Sequence, residues 1–225
     1  MQITCLVDNA VQRSSQLFGE HGLSFLVETE AGRLLLDTGQ SGTVLKHNMD
    51  ALEIDPGSID ALVISHAHYD HTGGLPTLLE RAKPGLRLFA NPDLFTERFA
   101  ESEETVRFIG ISLSRDELGS KTELHLDGAP QEIFPGIWTT GEITNRPYPM
   151  GCSPRPVAAI IGGTHLARAD AEFLGQVVDE LQRMESLRHV YLSHCSGEAA
   201  VHALLDALGS DVVHPCPAGT RIDLG

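Results

Sequence analysis

The sequence has few cysteines and no long apolar run. Its four cysteines include no Cys-x-x-Cys pair, and their spacing indicates no disulfide framework, so a reducing compartment is expected. No stretch approaches the roughly 18 consecutive apolar residues of a transmembrane helix. Residues 1–10 also lack the basic start and the apolar segment of a signal peptide. We therefore expect a soluble, cytoplasmic protein.

Basic residues are scarce as well. The chain has 16 Lys and Arg against 31 Asp and Glu, which gives a formal net charge of −15. An acidic surface of this kind repels nucleic-acid backbones and anionic membranes. Neither is therefore expected as a routine partner.

The remaining composition is that of an ordinary globular protein. The 225 residues are 41% hydrophobic and 21% charged, which is enough apolar content to bury a core. No linker divides the chain convincingly, and the two halves, 1–135 and 136–225, each run from β-rich to α/β segments. We expect one domain over residues 1–225.

Apolar periodicity and turn residues predict a coarse secondary structure. Helices are predicted at 42–52, 75–82, 93–100, 171–187 and 197–208. Strands are predicted at 3–7, 23–29, 33–36, 59–65, 86–90, 106–111, 123–126, 137–141, 157–161, 190–192 and 211–214, and those between 101 and 136 are expected to be antiparallel. The helix at 171–187 has an apolar stripe that should face the core. The stripe consists of Phe173, Leu174, Val177, Val178, Leu181 and Met184.

One stretch carries metal-binding residue types at close spacing, His66-Ala67-His68-Tyr69-Asp70-His71. It follows a predicted buried strand and precedes Gly73-Gly74, where the next helix opens. Side chains alternate faces in an extended segment, so His66 and His68 point the same way and can bind one cation. Asp70 and His71 project from the turn that follows, where a second cation could lie a few ångströms away. Zinc, manganese and iron accept imidazole nitrogen and carboxylate oxygen as ligands.

This spacing is not expected by chance. With 11 histidines in the chain, the pattern His-x-His-x-Asp-His arises roughly 0.002 times in a sequence of this length. The alternative is a solvated, histidine-rich turn with accidental metal affinity. The strand before the motif and the glycine pair after it favour a metal site. Metal ions would dominate the local field, so the negative net charge does not exclude an anionic substrate.

The motif resembles the signature of the metallo-β-lactamase superfamily. Segments along nearly the whole chain are similar to one branch, the metal-dependent hydrolases related to archaeal 7,8-dihydropterin-6-methyl-4-(β-D-ribofuranosyl)-aminobenzene-5'-phosphate synthase. These segments are His21-Gly22-Leu23-Ser24, Leu36-Asp37-Thr38-Gly39, Thr72-Gly73-Gly74-Leu75, Thr140-Gly141-Glu142-Ile143, Gly162-Gly163-Thr164-His165-Leu166 and Ser193-His194-Cys195-Ser196-Gly197. The resemblance implies an α/β fold: a four-layer αββα sandwich of two mixed sheets with helices outside.

The resemblance also implies roles for residues outside the motif. His194 would be the third protein ligand of the second metal, beside Asp70 and His71. Asp37 would hydrogen-bond to ligand histidines and fix their tautomer. The alternative for Asp37 is a surface cap for the helix that follows it. His21 is either a loop histidine satisfied by water or a group over the metal site, where it would join Asp70 in catalysis.

The chain departs from this branch at one point. Relatives carry a longer insertion and a Gly-Cys-Ser-His run, whose histidine is the third ligand of the first metal. This chain has Gly151-Cys152-Ser153-Pro154 instead, and proline cannot bind a metal. His165, at the carboxyl end of a predicted strand, is the first candidate to replace that histidine. Cys152 is the weaker alternative.

The expected activity follows from these ligands. Two divalent cations, zinc first and iron or manganese as alternatives, would lower the pKa of a bound water to about 7 and yield a hydroxide that attacks carbon or phosphorus. The leading hypothesis is a metal-dependent hydrolase of a small-molecule ester, lactone or phosphoester. The alternatives are a pterin-pathway transferase or synthase and a non-catalytic metal- or ligand-binding protein, the last suggested by Pro154. The sequence leaves the natural substrate, the metal and the oligomeric state open.

Overall fold

A computed structural model describes residues 1–102, 104–142 and 157–225 of the chain. The chain falls into two compact units. The first comprises Met1–Ile143 and Ala218–Gly225, and the second comprises Thr144–Pro217. The expectation of a single domain stays a prediction.

The described residues contain fourteen strands and six α-helices. The strands are β1 (Gln2–Val7), β2 (Ser24–Thr29), β3 (Gly32–Leu36), β4 (Ala61–Val63), β5 (Leu86–Ala90), β6 (Phe99–Glu101), β7 (Val106–Phe108), β8 (Thr122–Leu126), β9 (Glu132–Phe134), β10 (Ile137–Trp138), β11 (Ala159–Gly162), β12 (His189–Leu192), β13 (Val213–Pro215) and β14 (Arg221–Asp223). The helices are α1 (Gly42–Ala51), α2 (Tyr69–Thr72), α3 (Leu75–Arg81), α4 (Arg115–Gly119), α5 (Ala171–Arg183) and α6 (Glu198–Leu208).

The first unit is built on a seven-stranded mixed sheet in the order β14-β1-β2-β3-β4-β5-β8. Strands β14, β1, β2 and β3 pair antiparallel, whereas β3, β4, β5 and β8 pair in parallel. The pairs β6–β7 and β9–β10 are small antiparallel ribbons. In the parallel half, the carboxyl ends of β3, β4 and β5 meet at one edge, where open α/β sheets place their functional residues.

Both faces of the central strands are buried. Because side chains alternate along a strand, neighbours such as Leu34 and Leu35 enter different clusters. One cluster joins the sheet to α1 and α3, and its members include Leu35, Leu45, Leu62, Leu78 and Leu88. The cluster on the other face consists of Leu34, Ala61, Phe89, Ile133 and Phe134. Burial on both faces explains why β3, β4 and β5 are almost continuously apolar in sequence.

The second unit contains a three-stranded parallel sheet in the order β11-β12-β13. Its strands are connected by the crossover helices α5 and α6, as parallel pairing requires. Val190, Leu192, Leu204 and Val213 form its main buried cluster. Across the described ranges of both units, no helix has the length and apolar character needed to cross a bilayer.

The prediction of a helix at 93–100 is wrong. Pro92–Phe95 forms a single 3-10 turn, after which the chain extends into β6. The Nη1 of Arg98 donates to the carbonyl oxygens of Asp93 (3.1 Å) and Thr96 (2.7 Å). The turn ends because Thr96 has an extended backbone, with φ of −68° and ψ of 126°.

Other elements also differ from the prediction. The strand at 123–126, expected to be antiparallel, is β8 and pairs in parallel with β5 after a crossover through β6, β7 and α4. No strand was predicted at β6, β9 or β14 and no helix at α4, although α4 has a local signal in the capping box of Ser114 and Glu117. In α5, Leu174 is buried but Phe173 is exposed, as is Met184 just after the helix, so the core-facing stripe is narrower than predicted.

Candidate metal centre

The histidine motif lies at the carboxyl end of β4. Its second half forms α2, in which Asp70 and His71 are buried. The backbone N–H of Tyr69 donates to the carbonyl oxygen of Ile109 (3.0 Å). The N–H of Leu23 donates to the carbonyl oxygen of Asp70 (3.2 Å). Two other segments of the first unit therefore hold this turn in place.

The pair Gly73-Gly74 lets the turn pack closely against the loop after β3. A Cβ atom at Gly73 would lie 2.0 Å from the carbonyl oxygen of Gln40, and one at Gly74 would lie 2.2 Å from that of Thr38. The N–H and the hydroxyl of Thr38 both donate to the carbonyl oxygen of His71, at 2.8 and 3.0 Å. Any side chain larger than hydrogen at these glycines would push the motif away from the loop.

Asp37, in that loop, is fully buried. Its carboxylate accepts from the N–H of Ser65 (2.8 Å), the hydroxyl of Ser65 (2.6 Å) and Nδ1 of His71 (2.7 Å). Ser41, not Asp37, caps α1. Asp37 also has a φ of 55°, a left-handed conformation that is unfavourable for residues other than glycine and is common at functional sites.

These hydrogen bonds fix the tautomers of two histidines. An ionised carboxylate can only accept, so Nδ1 of His71 carries a proton, and in the neutral ring Nε2 keeps the lone pair. The hydroxyl of Ser65 donates to Asp37 and lies 3.0 Å from Nδ1 of His66, from which it can accept. The Nε2 of His66 is then unprotonated as well. Imidazoles held in this way present Nε2 to a cation.

The three histidines of the motif lie together. Nε2 of His66 is 3.1 Å from Nδ1 of His68, and the ring centroids of His66 and His71 are 4.0 Å apart. Burial, together with the neighbouring His71, lowers the pKa of His66 to about 4. The imidazole of His66 is therefore neutral at pH 7, the form that binds metals.

Asp70 and His21 form a second group in the first unit. Oδ2 of Asp70 lies 3.2 Å from Nε2 of His21 and 3.6 Å from Nε2 of His71. Asp70 is buried, whereas about half of the His21 side chain is exposed. An imidazole between a buried carboxylate and solvent can hold or transfer a proton. The first unit thus brings together six of the predicted residues, His21, Asp37, His66, His68, Asp70 and His71.

The other two candidates, His165 and His194, lie in the second unit. Both follow strands of the parallel sheet, and both have a left-handed backbone, with φ of 57° and 49°. The N–H of His165 donates to Sγ of Cys195 (3.2 Å), and the N–H of Thr164 donates to Oγ of Ser196 (3.2 Å). The turns that carry the two histidines are therefore joined to each other.

Two residues that orient the candidates were not found from the sequence. Ser65 donates twice to Asp37, and it could have been identified because β3 and β4 are adjacent parallel strands whose next residues meet at one edge. The role of Cys195 has no signal in the sequence. Cys152 and Pro154, on which the question of a replaced ligand depends, lie outside the described residues.

A known protein family and a characterised archaeal enzyme are similar to this chain in sequence. A family model described as the metallo-β-lactamase superfamily matches residues 17–150. The 7,8-dihydropterin-6-methyl-4-(β-D-ribofuranosyl)-aminobenzene-5'-phosphate synthase of Methanocaldococcus jannaschii is 26% identical over 275 aligned residues. That alignment covers 94% of this chain and 92% of the relative.

Solved structures share the fold. A metal-dependent hydrolase of the β-lactamase superfamily matches with a TM-score of 0.79 and 21% identity, over 100% of this chain and 99% of that one. A diphosphatase from the PhnP family matches with a TM-score of 0.57 and 14% identity, over 100% and 98%. The predicted α/β fold of metallo-β-lactamase type is confirmed. Because the family model covers more than half of the chain and contains the whole histidine motif, this chain belongs to the metallo-β-lactamase superfamily.

Proposed function

We propose that this chain is a hydrolase that uses two divalent cations to cleave a small-molecule ester, lactone or phosphoester. The observation that carries the proposal is the cluster of His66, His68, Asp70 and His71 at the carboxyl end of β4, oriented by the buried Asp37. Membership of the superfamily supports metal-dependent hydrolysis in general.

The donor set of this cluster fits divalent cations. It consists of neutral imidazoles and one carboxylate, which zinc, iron and manganese all accept, and zinc is our first choice. His66 and His71 direct their Nδ1 atoms to Ser65 and Asp37, so the Nε2 atom of each ring faces the other residues of the cluster. We assign His66 and His68 to the first cation and Asp70 and His71 to the second.

We further propose His165 as a ligand of the first cation and His194 as a ligand of the second. Both follow strands of a parallel sheet, where α/β proteins place chemistry. Their left-handed backbones support this assignment. Such a conformation costs about 1–3 kcal/mol and is found mainly at functional sites.

The mechanism assigns one task to each remaining group. Bound divalent cations would lower the pKa of a water molecule to about 7 and stabilise the negative charge that develops on the attacked group. Asp37 holds His71 in one tautomer and one orientation. The buried Asp70 orients the water molecule that attacks the substrate. His21, half exposed and 3.2 Å from Asp70, takes up or returns a proton at Nε2.

The test measures metal content and hydrolysis in the tag-free full chain. Elemental mass spectrometry should find about two metals per chain. The zinc-loaded protein should hydrolyse an aryl ester, a lactone or a phosphodiester, with a rate that rises with pH near neutrality, and a chelator should abolish the activity. The His68→Asn variant should lose metal and activity. The control His202→Asn changes an exposed histidine of α6 and should keep both.

Two results would contradict the proposal. The first is hydrolysis that survives complete removal of metal. The second is a His68→Asn variant with wild-type metal content and wild-type rate. The cytoplasmic location expected from the sequence stays a prediction.

A second candidate function is a synthase of pterin biosynthesis. It is favoured by the 26% identity to the archaeal synthase over 94% of this chain. The test is to incubate the metal-loaded chain with a phosphorylated ribofuranosyl-aminobenzene and a dihydropterin that carries a diphosphate leaving group on its 6-methyl carbon. Mass spectrometry then looks for the coupled product and the released diphosphate. A coupled product without hydrolysis of any ester, lactone or phosphoester would favour the synthase. Bound metal without either reaction would favour a binding protein.

A further inference from the structure

The first unit contains a cavity next to the candidate metal centre. Its volume is about 860 Å³, within the range of cavities that bind small molecules. Ser65 and His66 line it at the carboxyl end of β4, and the remaining lining includes Trp138 of β10 and residues that follow β5 and β8. The cavity therefore extends from a proposed metal ligand to a region with no assigned role.

One wall of the cavity is apolar. It is the sheet face opposite α1 and α3, to which Leu34, Val63 and Phe89 contribute. Trp138, the single tryptophan of the chain, also lines the cavity and is 58% exposed. An exposed indole inside a cavity offers a flat surface on which an aromatic ring or a cation stacks.

The charged residues that line the cavity are mainly acidic. Asp93, Asp127 and Glu142 contribute carboxylates, and Arg98 is the one cation among the lining residues that the structure describes. Arg98 is already in an ion pair, because its Nη2 lies 2.6 Å from Oδ2 of Asp93. Away from the metal centre, this lining repels negative charge.

We propose that the cavity binds the non-reacting part of the substrate, and that this part is a flat, largely apolar group without negative charge that stacks on Trp138. The inference rests on the proposed function, since the reacting bond would lie at the His66 end. It narrows the substrate to esters, lactones or phosphoesters that carry a neutral or cationic aromatic group. Polyanions such as oligonucleotides do not match this lining.

Three related probes test the inference without any hydrolysis. Calorimetry on the full chain without added metal, so that no cation binds the sulfonate, measures the Kd of 4-nitrobenzyl alcohol, 4-nitrobenzyl-trimethylammonium and 4-nitrobenzenesulfonate. The neutral and cationic probes should bind at least about tenfold more tightly than the sulfonate. Trp138→Ala should weaken the neutral probe by about tenfold, and Trp138→Phe by less than about threefold. Phe108→Ala removes an aromatic ring that is also exposed, at 46%, but lies outside the cavity lining, and should change nothing.

The charge of the lining is tested by a double variant. Asp127→Asn with Glu142→Gln keeps the shape of both side chains and should tighten the binding of the sulfonate by about threefold or more. A sulfonate that binds as tightly as the alcohol in the wild type, or a Trp138→Ala variant with unchanged affinity, would overturn the inference. These outcomes are separate from the proposed function, because probes can bind a protein that hydrolyses nothing, and hydrolysis can proceed with no preference among the probes.

Discussion

The candidate ligands of the two units are held by different means. In the first unit, buried side chains hold them: Asp37 is fully buried and accepts three hydrogen bonds, and Asp70 and His71 are only 6% and 5% exposed. In the second unit, His194 is half-buried and His165 is exposed. There both histidines have left-handed backbones, and hydrogen bonds from the backbone N–H groups of Thr164 and His165 join the two turns.

This difference indicates what each unit contributes. Breaking a buried hydrogen bond leaves an unsatisfied donor or acceptor and lowers the free energy of unfolding by about 1–3 kcal/mol. The buried hydrogen bonds of the motif therefore also stabilise the fold of the first unit. An exposed histidine on a strained turn adds little to folding. Substitutions in the motif of the first unit should therefore lower the free energy of unfolding. Substitutions at the histidines of the second unit should instead lower the metal content per chain.

The largest effect is expected for Asp37→Ala. This substitution removes the acceptor of three buried hydrogen bonds, so the free energy of unfolding should fall by about 3–5 kcal/mol, and metal content should fall with it. Urea unfolding followed by the fluorescence of Trp138, which lies in the first unit, measures the loss. Asp37→Asn keeps one acceptor oxygen and should lose less. A stable Asp37→Ala variant that binds metal normally would show that side-chain hydrogen bonds do not hold this motif.

The next effect is steric. In Gly73→Ala the added methyl group would lie 2.0 Å from the carbonyl oxygen of Gln40, so the turn must shift, at a cost of about 1–3 kcal/mol in the free energy of unfolding. The same urea titration measures it. Because the motif moves with the turn, metal affinity should also fall. An unchanged unfolding midpoint would mean that the contact between the motif and the loop after β3 relaxes without cost.

In the second unit, His194→Asn should lower the metal content per chain and leave the free energy of unfolding nearly unchanged. Asparagine tolerates a left-handed backbone, so the metal-free variant should unfold within about 1 kcal/mol of the wild type. Elemental analysis should find about one metal fewer per chain. His194→Ala adds backbone strain and should be less stable than His194→Asn by about 1 kcal/mol. Full metal content in His194→Asn would remove this histidine from the proposed centre.

Local patterns in the sequence predicted some parts of the fold and missed others. The motif His66 to His71 and the strands around it follow local rules: alternating side chains, apolar runs and a glycine pair. The α/β class and most element positions were therefore predictable. The end of the turn at Phe95 was not, since the local pattern gives no sign of the extended backbone of Thr96. Strand β14 was missed because it pairs with β1, at the opposite end of the chain.

The candidate site was predictable only in part, for a related reason. Residue types and spacing identify donors such as His68 and Asp70. The contact of Ser65 with Asp37 spans 28 positions, and it follows from the pairing of β3 with β4 and not from spacing within the motif. The left-handed backbones of His165 and His194 also leave no trace in composition, since histidine adopts many conformations. Among the groups that orient the donors, the resemblance implied Asp37, whereas the contacts of Ser65 and the two left-handed backbones are known only from the fold.

The smallest effect is expected for Gly175→Ala, the same replacement of glycine by alanine as in Gly73→Ala but in the second unit. Gly175 lies on the exposed side of α5, where an added Cβ would meet nothing within 4 Å. Alanine favours helix more than glycine does, so Gly175→Ala should stabilise this unit by about 0.5–1 kcal/mol. Far-UV circular dichroism during urea unfolding, which follows the helices, measures the gain. A fall in the free energy of unfolding for Gly73→Ala and a rise for Gly175→Ala would support a tightly packed motif in the first unit and an open helix surface in the second. A loss of stability in Gly175→Ala would mean that this face of α5 is covered, and the contrast between the two units would then be smaller than we infer.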